Sequence, residues 1–266
     1  ARPPKYHCET LTSFPGVVSM SSDIITNLEL DKLGETGKII LVKELKGCDS
    51  AFITSSVIGN CIKNKSALLI ITTHNTLKHY HNVGLKMNYN LQKAVDSGLI
   101  NFYDVGQEIA ENVLINENSF KESIINNIKK RFESLREKYD SVNIIVDGLS
   151  HLFDTQMKLK EVNRISEQII KLVQPHSSFL IIHCNVAASH DVTETMANLL
   201  SHKSQIVVEL ESLTSGLSAD VSGHLTIKRP GLRFETDNMY VMQQKPLQYL
   251  FKLFDRGVKL LAPGTV

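Results

Sequence analysis

The chain has 266 residues, 42% of them hydrophobic, with 29 Lys and Arg against 28 Asp and Glu and a formal net charge of +1. That length fits one large α/β domain or two small ones with a sizeable core, and the charge balance excludes bulk attraction to polyanions while leaving room for local basic patches. Cys8, Cys48, Cys61 and Cys184 are scattered without paired spacing, which argues against a disulfide framework or a zinc motif and for a reducing compartment; apolar runs such as Ala67 to Ile71 fall far short of the roughly 18 residues of a membrane span.

Residues 1–19 hold prolines at Pro3, Pro4 and Pro15 and no hydrophobic period. They read as a disordered extension foreign to the fold, with no charged-then-apolar secretion signal, and a single domain is expected over residues 20–266. Gly37 to Lys43 is the first strand, followed by a loop, Glu44 to Asp49, and a helix from Ser50 to Lys63 whose Phe52, Ile53, Val57, Cys61 and Ile62 give a buried face. Ala67 to Thr72 is a second buried strand. Leu77 to Ser97 reads as a helix in two pieces, broken at Asn88 to Asn90, and Ile100 to Tyr103 as a short strand. Asp104 to Asn118 is polar and reads as a loop. Phe120, Ile124, Ile125, Ile128, Phe132, Leu135 and Tyr139 step by threes and fours, the clearest amphipathic helix in the chain.

Asn143 to Leu149 reads NIIVDGL. A β-branched run without alternation predicts a strand covered on both faces, central in a parallel sheet, with Asp147 at the ligand end of that sheet. Lys160 to Gln174 is helical, Phe179 to Cys184 a strand, and Thr193 to His202 a short helix. From Gln205 the pattern changes to strands joined by turns: Gln205 to Leu210, His224 to Lys228, Gln248 to Phe254 and Val258 to Leu261. The order is therefore βαβα followed by a β-meander, one domain if the late strands extend the same sheet.

The loop Glu44 to Ala51, ELKGCDSA, stands between first strand and helix, where a phosphate-binding loop belongs. It has neither glycine in place, Ser50 where the phosphate lysine should be and Ala51 where the Mg²⁺-binding hydroxyl should be. In a nucleotide hydrolase Asp147 would hold Mg²⁺ through water; here a structural reading, a strand-end carboxylate capping the next turn, is favoured. Gly148-Leu149-Ser150-His151 lacks the last glycine of a G-x-S-x-G nucleophile elbow, because Leu152 stands there. Ser150 reads instead as a turn or N-cap residue. His74, His79 and His81, and His183, Cys184, His190 and Asp191, form two loose groups with no metal-ligand spacing and read as structural or solvent-facing. Lys228, Arg229 and Arg233 cluster around Pro230 and Gly231, and Lys129, Lys130 and Arg131 form a second run. Both read as solvated faces, with the first offered as an RNA-phosphate contact.

GKIILV with its lysine-less loop, NIIVDGLSHL, Leu199 to Ile227 with Ser215, Gly216 and the run Asp220 to Leu225, and QYLFKLFDRGVKLLAPG together resemble the Elongator complex protein 6 family. The resemblance implies a RecA-like α/β fold, a mostly parallel sheet flanked by helices with a C-terminal β-meander and without a functional Walker A motif. It implies a non-catalytic subunit, without cofactor, of a hetero-hexameric ring with Elongator complex proteins 4 and 5. That ring would join the larger Elongator core, bind tRNA and serve wobble-uridine modification in cytoplasm and nucleus. Asp147 would then be a Walker-B-like remnant, and Asp49, Ser50 and Ala51 a degenerate phosphate-loop slot. The contrasting reading is an active RecA- or KaiC-like ATPase with a divergent phosphate loop.

Overall fold

The computed structural model describes residues 22–112, 117–213, 221–230 and 245–262. Strands Lys38–Leu45 (β1), Ala67–Thr72 (β2), Ile100–Asp104 (β3), Val142–Asp147 (β4), Phe179–Val186 (β5) and Ile206–Ser212 (β6) pair in parallel. Gly223–Lys228 (β7), Leu247–Phe254 (β8) and Gly257–Leu261 (β9) continue the sheet as an antiparallel meander. The result is one nine-stranded sheet in the order β3-β2-β4-β5-β1-β6-β7-β8-β9. The late strands thus extend the early sheet, an arrangement consistent with a RecA-like fold.

Every residue of β2 (ALLIIT) and of β4 (VNIIVD) is buried. Strands of that kind are stable only with helices on both sides, because either face would otherwise present an unbroken apolar row to water. On one side lie helices Ser22–Asn27 (α1), Ala51–Asn64 (α2), Leu77–Lys86 (α3) and Leu91–Asp96 (α4). Their core includes Ile24, Ile53, Val57, Tyr80, Leu91, Ile40, Ile70 and Ile145. The inner face of the meander, with Leu225, Ile227 and Phe251, joins this core, and Phe251 meets Phe52 of α2 with ring centroids 5.1 Å apart. The opposite side is covered by Val105–Asn112 (α5), Glu117–Arg136 (α6), Leu159–Val173 (α7) and Val192–Ser201 (α8), through Ile124, Ile128, Phe132, Val162, Ile165, Ile169, Met196 and Leu200.

The break between α3 and α4 falls at Asn88, in the left-handed conformation (φ 64°), and Asn90 then caps α4 by accepting from the Lys93 N–H. One expected loop is a helix. Residues 105–112 form α5, whose Val105 and Ile109 stand four apart, too few apolar residues to show a period. Polar groups at its start and along it are used internally: the carboxylate of Asp104, the last residue of β3, accepts from the Gln107 N–H, and Glu108 accepts from Tyr103, Ser123 and Asn127.

Candidate functional site: a closed phosphate slot

The C-terminal ends of parallel strands and the start of the helix that follows β1 form the place where an α/β sheet presents its ligands. Here that place is filled by the chain itself. Glu44, near the end of β1, turns back so that its Oε1 accepts from both the backbone N–H (2.9 Å) and the hydroxyl (2.5 Å) of Ser50. Asp49 Oδ1 accepts from the Ala51 N–H at 2.8 Å. The loop reverses through Lys46 (φ 53°) and Gly47 (φ 68°). The first amides of α2, which would face a phosphate, are therefore held by two carboxylates that also satisfy the positive end of the helix dipole.

Beneath them lies a buried histidine. His183 of β5 is 1% exposed and has its Nδ1 2.5 Å from Ser50 Oγ and its Nε2 3.1 Å from Thr54 Oγ1. One tautomer satisfies every group: Ser50 gives its only hydroxyl proton to Glu44, His183 donates from Nδ1 to Ser50, and Thr54 donates to Nε2. The sequence offered His183 only as a member of a loose group; the signal was a single polar side chain inside the apolar run FLIIHC.

Asp147 stands in the next position of the same row. Thr72 of β2 is its partner in register, and His183 is one residue past the Val146–Ile182 pair. Asp147 is 6% exposed, and its carboxylate accepts from the hydroxyl of Tyr80, brought over it by α3; the same hydroxyl lies 3.3 Å from Thr72 Oγ1. Burial, then the charge of Asp147, drives the Tyr80 hydroxyl pKa far up, so it stays a donor. The expected capping of the next turn is not what this side chain does: Tyr80, 67 residues earlier in sequence, takes it instead. After Asp147 the chain turns through Gly148 in the left-handed region (φ 82°), where a Cβ would come within 2.4 Å of His74. The His74 ring lies tilted against that of His151, centroids 4.5 Å apart and planes at 44°, and burial lowers the His74 pKa.

Ser150 lies inside a 3₁₀ helix, Leu149–Thr155, 4% exposed, with its hydroxyl accepting from the Asn185 N–H at 2.9 Å. It is a brace between β4 and β5. His74 precedes α3 rather than lying on it, His81 Nδ1 accepts from the Gln92 N–H, and Asp191 caps α8 by accepting from the Glu194 N–H. Burial pushes the Cys184 thiol up to about 12. Among the described residues no group of three or more His, Cys, Asp or Glu is placed to hold a metal ion. Lys228 pairs with Glu209 at 2.6 Å, and Arg229 pairs with Glu29 at 3.0 Å while donating to the Asn27 carbonyl, tying β7 to the end of α1. Arg131 donates to Asn101 and covers the Tyr103 ring at 4.8 Å. Arg233, Ser215, Gly216, Asp220 and residues 1–19 lie outside the described residues.

Comparison with known proteins carries the same stretches further. The family of Elongation complex protein 6 matches residues 22–253. The chain belongs to that family. Elongator complex protein 6 of Drosophila melanogaster is 23% identical to it over 233 residues, covering 85% of this chain and 90% of the relative. The human protein of that name is 24% identical over 252 residues, covering 86% and 92%, and the mouse protein 21% over 252 residues with the same coverage. Family membership thus rests on nearly the whole length of both chains, while the sequences themselves have diverged. No helix among the described residues is long and apolar enough to cross a membrane.

Proposed function

We propose that this family member is a non-catalytic subunit of the Elongator complex, built with Elongator complex proteins 4 and 5 into a hetero-hexameric ring that serves modification of the tRNA wobble uridine. The observation that carries the non-catalytic part is the closure of the phosphate slot. Glu44 and Asp49 hold the amides at the start of α2 that a triphosphate would need. A nucleotide there would meet two carboxylates and no lysine at the Ser50 position, the loop's Lys46 being paired with Glu211, a repulsive arrangement where nucleotide hydrolases are attractive. The alternative, an ATPase with a divergent loop, requires Glu44 to leave Ser50 and Asp147 to leave Tyr80.

The assembly part rests on the family relatives named above. Exposed apolar side chains fit it as docking points: Val192 and Leu199 on α8, and Leu247, Leu253 and Phe254 on β8. In this reading tRNA is met by the assembled ring, since Lys228 and Arg229 already have carboxylate partners within the chain. The same reading places the protein in cytoplasm and nucleus.

The test is co-expression with Elongator complex proteins 4 and 5, followed by light scattering and dialysis against Mg-ATP. A stoichiometric six-chain particle, with no nucleotide retained at this chain's slot, is expected. A lone monomer beside its partners, or hydrolysis abolished by Asp147→Asn, would overturn the proposal.

A further inference from the structure

The sheet has two edges, and they are finished differently. At one end β9 (GVKLL) carries Lys259 in its middle, a charge that discourages another strand from pairing. At the other end β3 (INFYD) has neither lysine nor proline. Leu68 donates its N–H to the Leu99 carbonyl, which fixes the phase of the β2–β3 ladder: Asn101 and Tyr103 turn their backbone groups toward β2. The N–H and C=O of Ile100 and Phe102, and the N–H of Asp104, therefore point away from the sheet. None of these groups finds a partner among the described residues.

They do not open onto a convex surface. Two cavities, of about 640 and 210 Å³, meet at Phe102 and Arg131 and together follow β3 from Ile100 to Asp104. One wall is built from α3 and α4, the other from α5 and α6. The groove is polarised. Lys138 stands at the start of β3 and Arg131 at its middle, while at its end Asp104, Glu108 and Glu111 outnumber Lys78. Lys138 has no ion pair among the described residues.

We infer that this groove takes an extended segment of a neighbouring subunit, which adds to the sheet as a further strand beside β3; the inference rests on the ring-subunit reading above. Outward-facing amides at alternate residues are matched by the alternating carbonyls and amides of another extended backbone, as in β-augmentation. The charges select the segment's orientation and composition: acidic residues lie by Arg131 and Lys138, basic residues by Asp104 and Glu111. This is a contact separate from the closed phosphate slot and from the exposed side chains of α8 and β8.

The experiment is hydrogen–deuterium exchange on this chain alone and in complex with Elongator complex proteins 4 and 5, read on peptides spanning residues 100–104. Assembly is expected to slow exchange there at least tenfold. Ser134→Arg, an exposed change on α6 at the groove wall, should remove that protection and weaken assembly at least tenfold, with the melting temperature of the isolated chain unchanged. A complete assembly in which residues 100–104 exchange as fast as in the free chain would overturn the inference while leaving the ring reading intact. Absence of any assembly would overturn both.

Discussion

Glu44 and Asp147 are both carboxylates at the ligand end of the sheet, yet they are put out of use in different ways. Glu44 is half-buried and lies on the entrance of α2, held by the Ser50 N–H and hydroxyl. It acts as a charge placed where a phosphate would be charged. Asp147 is almost wholly buried, roofed by Tyr80 on α3. It is withdrawn from solvent rather than used as a counter-charge. The two stand on strands separated by β5 and on the same sheet face, and β5 supplies His183, beside Asp147 and beneath Ser50. The ligand end of the sheet is thus occupied in two ways within one row: one end is filled, and the other is covered.

His183 gives the largest expected effect. It holds Ser50 and Thr54 at once from a fully buried position. Truncation leaves a cavity and removes the partner of both hydroxyls. His183→Ala should cost about 3 kcal/mol, measured as a shift in urea midpoint at unchanged slope. A cost below about 1 kcal/mol would show that the slot is not a packed plug, since a surface substitution would cost no more.

Tyr80→Phe attacks the covered end. It keeps the ring and takes away the donor to Asp147, so a buried carboxylate loses its partner, at about 2 kcal/mol. Combining it with His183→Ala sharpens the comparison. If the two clusters are satisfied by separate partners, the double variant should equal the sum of the singles to within about 0.5 kcal/mol. A larger coupling would mean that Thr72, Asp147 and His183 act as one network across the sheet.

Much of this architecture could be read before any coordinates. β2 coincides with the apolar run Ala67 to Thr72, and β4 with its neighbour NIIVD, because strands buried on both faces carry an unbroken apolar centre, with their polar residues Thr72, Asn143 and Asp147 at or next to the ends. The location of the slot was legible for the same reason: a strand, a short loop and a helix in that order. What closes the slot was not. Glu44 and His183 are far apart in sequence, and only the parallel pairing of β1 with β5 brings them to the same rim. Tyr80 is 67 residues from Asp147 in sequence, and nothing in the helical pattern of α3 signals that its hydroxyl reaches that carboxylate. α5 was missed because two apolar residues cannot establish a helical period, and because its stabilising contacts, Glu108 to Ser123 and Asn127, come from α6.

The filled end can also be probed gently. Asp49 is exposed, and its carboxylate accepts from the Ala51 N–H. Asp49→Ala should cost only about 0.5–1 kcal/mol, the ordinary value of a helix-entry acceptor. Thermal melting resolves a change of that size. A loss several times larger would mean that Asp49 restrains the whole loop rather than one amide.

The smallest effect belongs to the rim of the covered end and is a matter of pH. His74 packs its ring, tilted, against His151 beside Gly148. Burial, opposed by the nearby charge of Asp147 and reinforced by His151, lowers its pKa from the ordinary 6.5. The unfolded chain, whose histidine keeps the ordinary value, therefore binds its proton first as pH falls. The contribution of neutral His74 is present above pH 6.5 and drains away as pH drops toward its folded pKa. Stability measured between pH 7.5 and about 5.5 should accordingly slope downward toward acid. His74→Asn should flatten that slope without touching Tyr80 or Ser50. The remainder of the slope belongs to His176, whose pKa burial also lowers; a slope left wholly unchanged by the substitution would show that His74 is not a site of proton uptake.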